Sequence, residues 1–70
     1  MNKSLLKKLS KRIKELRKTN GFTQDELAFR SGVERSTLGN IETAQNDVTL
    51  TKVHKIAKAF NLTLSEFLNF

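Results

Sequence analysis

The chain has 70 residues, which is the length of one small domain spanning residues 1–70. It has no cysteine, which excludes disulfides and thiolate metal sites, and its single histidine gives no reason to expect a histidine-based metal cluster. The formal net charge of +6 favours a polyanionic partner such as nucleic acid, and no apolar run approaches the roughly 20 residues of a membrane span.

The first predicted helix lies in "SLLKKLSKRIKELRKTNG" and ends at Asn20-Gly21, because glycine accepts the left-handed backbone of a helix end. Its apolar positions recur every three or four residues, at Leu6, Leu9, Ile13 and Leu16. Residues 1–18 carry eight Lys and Arg against one Glu (+7), and residues 19–70 carry five against six acids (−1). The lysines also recur at helical spacing, which favours a solvated face with long-range attraction for a polyanion; they are Lys3, Lys7, Lys11, Lys14 and Lys18.

Four further helices are predicted. The second opens at Thr23, which forms a capping-box pattern with Glu26, and ends at Gly32. The third runs from about Glu34 to Glu42. Thr49 caps the fourth, whose apolar face contains Leu50, Val53, Ile56, Ala57 and Phe60. A second capping-box pattern, Thr63 with Glu66, opens a short last helix in "TLSEFLNF". The predicted fold is therefore all-α, with five short helices and very short connections.

The second and third helices have the pattern of a helix-turn-helix. Ala28 is small where the two helices cross, and Gly32 supplies the backbone conformation of a short turn. Apolar side chains bury one face of the third helix, at Val33, Leu38 and Ile41. The opposite face then points outward, with Arg35, Ser36, Thr37, Gly39 and Asn40.

These outward side chains have the chemistry of base recognition. Arg donates two hydrogen bonds to guanine, Asn pairs with the adenine edge, and the Thr methyl contacts thymine. They lie at the end of the helix that enters the major groove in this motif. We therefore predict base contacts from Arg35, Ser36, Thr37 and Asn40, against the alternative that Arg35 and Asn40 are ordinary surface residues.

The segment "FTQDELAFRSGVERSTLGNIE" resembles the helix-turn-helix of the lambda-repressor/Cro-like (XRE) family. The resemblance continues through "NDVTLTKVHKIAKAFNLTLSEFL" and, within the family, is greatest to the small controller proteins of restriction–modification systems. It implies that Arg17 and Glu42 form an ion pair between the first and third helices. It also implies phosphate contacts from Gln24, Thr43, Gln45 and Asn46.

Some residues depart from the family pattern or have no explanation from sequence. Gly39 lies inside the third helix, where it costs about 1 kcal/mol relative to Ala; it either permits a close approach of DNA or is simply tolerated. Ala44 follows Thr43 where the family commonly has Gly after a basic residue. Phe29 lies on the outer side of the second helix without an evident role, and His54 is read as a packing or surface residue.

The last helix crowds four large apolar side chains into seven residues: Leu64, Phe67, Leu68 and Phe70. A 70-residue chain buries only about 60% of its unfolded surface, so its core cannot cover them all. Exposed apolar clusters of this kind usually mark an interface. The resemblance places a dimer contact at this helix, so these four residues are the predicted dimer interface.

The sequence therefore predicts a transcriptional regulator that binds double-stranded DNA as a homodimer on a dyad-symmetric operator, in the cytoplasm. A restriction–modification controller is the favoured type. Two alternatives stay open: an antitoxin that binds a toxin protein and autoregulates its operon, and a protein-interaction module. No catalytic constellation is visible, so we expect no enzyme activity, cofactor, metal, small-molecule ligand or membrane association.

Overall fold

The computed structural model describes residues 2–70, and this part of the chain forms five α-helices without a β-strand. The helices are α1 (Lys3–Thr19), α2 (Gln24–Ser31), α3 (Arg35–Glu42), α4 (Leu50–Ala59) and α5 (Leu64–Phe67). The predicted all-α class and the order of five helices are confirmed. None of these helices is both long and apolar enough to cross a membrane within the described range.

Four of the helices are preceded by a residue whose side chain accepts a hydrogen bond from a backbone N–H of the first turn. Asn2 caps α1, and Thr23, Thr49 and Thr63 cap α2, α4 and α5. Of the two predicted capping boxes, the one in α5 is complete, because the Glu66 carboxylate also accepts from the Thr63 backbone N–H. In α2 the Glu26 carboxylate pairs instead with Arg30 at 2.8 Å.

The helices pack around one apolar core, with α3 against α1 and α2, and with α4 against α2 and α5. Its largest fully buried side chains come from every helix: Ile13, Leu27, Leu38, Ile41, Ile56 and Phe67. The Phe60 ring lies between those of Phe22 and Phe67, with centroids 5.9 and 6.4 Å away. This aromatic row joins the turn before α2 to the end of the chain.

The structure corrects one part of the predicted dimer interface. Phe67 has 0% of its surface exposed and stacks on Phe60, so it belongs to the core rather than to a surface. Leu64 is half-buried against the core, whereas Leu68 and Phe70 are 38% and 47% exposed. Since α5 is a single turn, it turns only one of the four apolar residues within and after it straight inward.

Arg12 connects α1 to the end of α5. Its Nε donates to the Phe67 carbonyl oxygen and its Nη2 to the Glu66 carbonyl oxygen, both at 3.0 Å. The last carbonyls of a helix have no partner within the helix, so a cation in this place satisfies them and complements the helix dipole. Arg12 therefore holds α5, and the apolar residues that follow it, against α1.

Candidate nucleic-acid interface

The turn between α2 and α3 is short and tightly bonded. Gly32 has a left-handed backbone (φ +72°) and its N–H donates to the Ala28 carbonyl oxygen at 2.9 Å. The Ser31 hydroxyl accepts from the Val33 N–H at 3.2 Å. These bonds set the angle between α2 and α3, and Val33, only 4% exposed, anchors the turn in the core. The helix-turn-helix predicted from sequence is present.

One face of α3 is buried and the other faces solvent. Leu38 and Ile41 are 0% and 2% exposed. On the opposite side, Arg35, Ser36 and Asn40 are exposed, while Thr37 is half-buried. The structure thus brings the four predicted base-reading residues to one helix and leaves three of them open to solvent.

Gly39 lies on α3 beside these residues and is half-buried. A Cβ built on this glycine would meet no described atom within 4 Å outside its own local backbone. Packing within the chain therefore does not require a glycine here. The backbone of α3 is bare at this position, which leaves room for another molecule to approach it closely.

The ion pair predicted between Arg17 and Glu42 is present and has two hydrogen bonds. Arg17 Nε lies 3.0 Å from Glu42 Oε2, and Nη2 lies 3.2 Å from Oε1. Arg17 Nη1 also donates to the Phe22 carbonyl oxygen at 3.1 Å. The two side chains are 19% and 3% exposed, so the pair joins α1 to the end of α3 from a largely buried position.

Gln24, a predicted phosphate contact, belongs to the same network. Its Nε2 donates to Glu42 Oε1 at 3.1 Å. A glutamine amide has two N–H donors, so the second is left for an external acceptor such as a phosphate oxygen. The Glu42 carboxylate therefore orients Gln24 as well as neutralising Arg17.

The loop after α3 contains the other predicted phosphate contacts. The Thr43 hydroxyl lies 3.0 Å from the Gly39 carbonyl oxygen and 3.2 Å from that of Asn40, so its proton is used within the chain. Gln45 and Asn46 are exposed. Ala44 has φ +55°, a left-handed conformation, which accounts for the glycine that the family commonly has at this position.

The lysine row of α1 borders this loop, a proximity that residue spacing does not predict. Lys7, Lys11 and Lys14 line an open hollow together with Ser10, Glu42, Thr43 and Ala44. The Ser10 hydroxyl lies in hydrogen-bonding range of the Ile41 carbonyl oxygen, which holds α1 and α3 together here. The positive charge of α1 is therefore continuous with the loop that follows the outward face of α3.

A second surface, on α4 and α5, is apolar. The apolar spacing places Leu50 on the buried face of α4, but its side chain is 66% exposed. Leu50 is the first residue of α4, at the N-terminal end of the helix. It lines an open hollow with Thr51, His54 and Leu64. The apolar surface of α5 thus extends to the start of α4. Phe29 is 87% exposed on α2, and nothing in the structure explains it.

Sequence reasoning missed one polar contact at the interface. Arg35 Nε lies 2.8 Å from Asp25 Oδ1, so the first residue of α3 is paired with the first turn of α2. No sequence signal linked the two, since they are ten residues apart and on different helices. Among residues 2–70, no cluster of three or more His, Asp or Glu side chains is arranged to hold a metal ion.

Comparison with known proteins gives the family. A helix-turn-helix family model (HTH_3) matches residues 13–67. The chain is 35% identical to the antitoxin HipB of Escherichia coli K12 over 57 residues, which are 81% of this chain and 65% of HipB. It is 32% identical to the control protein C.SmaI of Serratia marcescens over 60 residues, 86% of this chain and 71% of that protein.

Among solved structures, the restriction–modification controller protein C.AhdI of Aeromonas hydrophila superposes with a TM-score of 0.83. Its sequence is 39% identical, and the match covers 89% of this chain and 94% of that one. The resemblance to small controller proteins is thus confirmed, with an antitoxin among the other relatives. The chain belongs to the lambda-repressor/Cro-like (XRE) branch of the helix-turn-helix family of transcriptional regulators.

Proposed function

We propose that the protein is a transcriptional regulator that reads double-stranded DNA by placing α3 in the major groove. One observation carries the proposal: α3 is buried through Leu38 and Ile41 while its first turn exposes Arg35 and Ser36. In a helix-turn-helix this end of the second helix contacts base edges. Arg35 is the candidate guanine reader, and Asn40 the candidate adenine reader.

Phosphate contacts on both sides of α3 would set its register on the duplex. Gln24 has a free amide N–H beside the start of α2, and Gln45 and Asn46 are exposed after the end of α3. The lysines beside that loop add positive charge where the backbone would run. Contacts of this kind fix the orientation of the protein on DNA but carry no sequence information.

The proposed regulator acts as a homodimer. Two recognition helices that enter successive major grooves on one face of DNA lie about 34 Å, or about 10 base pairs, apart. The longest dimension of the described chain is 27 Å, so one chain does not span two grooves. Leu68, Phe70, Leu64 and Leu50 are the partly or largely exposed apolar residues proposed for the two-fold contact. The corresponding operator is dyad-symmetric.

Within this family, a restriction–modification controller is the proposed type. It is supported by the likeness to C.AhdI, which covers 94% of that controller protein. The identity to HipB supports a second candidate, an antitoxin that also binds a toxin protein, although the match covers 65% of HipB.

Selection of bound sites from random double-stranded DNA tests the proposal. We expect enrichment of two inverted half-sites whose centres lie about 10 base pairs apart. Arg35→Ala is the matched variant, and it should lose preference at one base pair in each half-site. Failure of the wild-type protein to enrich any sequence would contradict DNA reading.

Analytical ultracentrifugation tests the dimer. Leu68→Glu should give a folded monomer by circular dichroism, with binding to a single half-site only. Lys58→Glu, a charge change on the exposed surface of α4, serves as the control and should stay dimeric. A wild-type protein that is monomeric at tens of micromolar and still binds one asymmetric site tightly would contradict the model. An antitoxin would additionally co-purify with a toxin encoded beside it.

A further inference from the structure

The ion pair of Asp25 and Arg35 crosses the helix-turn-helix at the point where DNA reading is proposed. Asp25 is in the first turn of α2 and Arg35 is the first residue of α3. Their Oδ1 and Nε atoms are 2.8 Å apart, and their side chains are 82% and 56% exposed. An acidic side chain repels phosphates, so Asp25 is unfavourable by charge alone at a surface that must approach DNA. The presence of Asp25 at this surface therefore needs an explanation.

The position of Asp25 in the first turn of α2 is favourable to the helix dipole, but this effect does not require a contact with Arg35. An ion pair between exposed side chains contributes little to stability, because water and salt screen it. The hydrogen bond from Gln24 to Glu42 already joins α2 to α3 from a part-buried position. The contact between Asp25 and Arg35 therefore adds little to the free energy of unfolding. Its main effect is on which N–H groups of the Arg35 guanidinium are available to a partner.

The contact constrains which edge of the guanidinium is available. A guanidinium has five N–H donors in a planar fork, one on Nε and four on the two Nη atoms. The Asp25 carboxylate contacts the guanidinium at Nε, which leaves the two Nη atoms to an outside partner. The Nη atoms offer two N–H groups side by side, the arrangement that binds O6 and N7 of guanine.

The contact also changes what Arg35 is attracted to. An unpaired arginine is drawn to any phosphate, which strengthens binding to every sequence alike. The Asp25 carboxylate cancels the charge of Arg35 and repels phosphates, while two acceptors on a neutral base edge still fit the free Nη donors. Discrimination of this kind works by weakening the wrong complex as well as by supporting the right one.

We infer that Asp25 is a specificity-determining positioning residue, which pairs with Arg35 at Nε and leaves its Nη atoms to read guanine rather than phosphate. The inference rests on the proposed function. It adds a second residue to the base-reading site and predicts a guanine in each half-site at the Arg35 position. Asp25 itself makes no contact with DNA in this arrangement.

Asp25→Asn is the test, with Glu34→Gln as the matched control. Both remove one negative charge next to Arg35, and Glu34 is exposed and makes no side-chain capping bond at the start of α3. Dissociation constants are measured on the selected operator, on the operator with the guanine at the Arg35 position replaced, and on random DNA. Circular dichroism checks that both variants are folded, as expected for exposed side chains.

Asp25→Asn should bind random DNA several-fold more tightly and should lose a few-fold of the discrimination between guanine and the replaced base, because an exposed ion pair can bias the position of Arg35 only by its own weak coupling. Glu34→Gln should tighten binding to all three DNAs by a similar factor and keep the discrimination. In an Arg35→Ala background, Asp25→Asn should leave discrimination unchanged.

Equal behaviour of the two variants would overturn the inference, because only bulk charge would then matter. A guanine preference that Arg35→Ala abolishes and Asp25→Asn leaves intact would overturn it while leaving the proposed function in place. A wild-type protein without any base preference would overturn both, so the two failures are distinguishable.

Discussion

The free energy of unfolding should depend strongly on the Glu42 carboxylate, and Glu42→Ala measures this dependence. Glu42 is 3% exposed and accepts three hydrogen bonds, two from Arg17 and one from Gln24. Removing one partner of a buried ion pair typically costs about 3–5 kcal/mol, because the other charge is left buried without compensation. Arg17 is 19% exposed and keeps its bond to the Phe22 carbonyl oxygen, which places the expected loss at the lower end, about 3 kcal/mol.

A loss of this size is large for such a small domain. At about 0.05–0.15 kcal/mol per residue, 70 residues give a total stability of roughly 3.5–10 kcal/mol. With a shift of about 4–8 °C per kcal/mol, the melting temperature should fall by about 12–24 °C. Urea unfolding followed by circular dichroism should show a lower midpoint with an unchanged slope.

Glu26→Ala is the matched control for this experiment. Glu26 pairs with Arg30 at 2.8 Å, but the side chains are 43% and 49% exposed and four residues apart on one helix. Pairs of this kind contribute about 0.3–0.5 kcal/mol. If Glu42→Ala lowered the urea midpoint no more than Glu26→Ala does, the buried pair would not carry the stability assigned to it.

Four further outcomes are expected. Arg35→Ala should weaken operator binding by about 1–3 kcal/mol in mobility-shift titrations, and equal losses on random DNA would rule out base reading. Gly39→Ala should stabilise the fold by about 1 kcal/mol, since its Cβ has open space, and should weaken operator binding if DNA approaches α3 there; unchanged affinity would show that Gly39 is only tolerated. Ala44→Gly should raise the melting temperature, because glycine relieves about 1–2 kcal/mol of left-handed backbone strain. The greater flexibility of glycine in the unfolded chain offsets only about 0.4–1 kcal/mol of this gain. Hydrogen bonds from the Thr63 backbone and hydroxyl lower the pKa of Glu66 below 4.5, so stability present above pH 4.5 should decline as pH falls through the folded pKa, and Glu66→Gln should flatten that decline in urea midpoints.

The helices could be predicted from sequence because each has local signals of its own. Threonines at the helix starts, Gly32 at the end of α2 and apolar spacing of three or four all act over a few residues. The outward face of α3 followed from its buried face, since the helical period fixes one once the other is known. Local chemistry was therefore sufficient for the five helices and for the outward face of α3.

The ends of α4 and α5 could not be predicted in the same way. A one-turn helix has no repeat from which to judge its buried side, so Phe67 and Leu68 were equivalent in sequence, although one is fully buried and the other 38% exposed. Leu50 follows the apolar spacing of α4 but lies beyond the edge of the core. Periodicity gives the direction of a side chain, and neighbouring elements decide whether anything covers it.

Contacts between distant residues were also beyond the sequence. Arg12 donates hydrogen bonds to two backbone carbonyls at the end of α5, 54 and 55 residues away. Every residue has a backbone carbonyl, so the sequence does not indicate which ones accept these bonds. The pair of Arg35 and Asp25 has no local signature either. Of these ion pairs, only that of Arg17 and Glu42 was predicted, and the prediction came from the family resemblance rather than from residue spacing.

The ion pairs of Arg17, Arg30 and Arg35 have similar chemistry, and burial separates their roles. Salt screens exposed charges over about 8 Å at physiological ionic strength and buried charges much less. The Arg17 pair, with Glu42 only 3% exposed, should therefore survive at salt concentrations that weaken the 56%-exposed Arg35 pair and its attraction to DNA. Raising the salt concentration should release the protein from DNA well before it unfolds, and the two midpoints can be measured on the same sample. A buried pair within the fold and a reading surface built from exposed charges can thus respond separately to ionic strength.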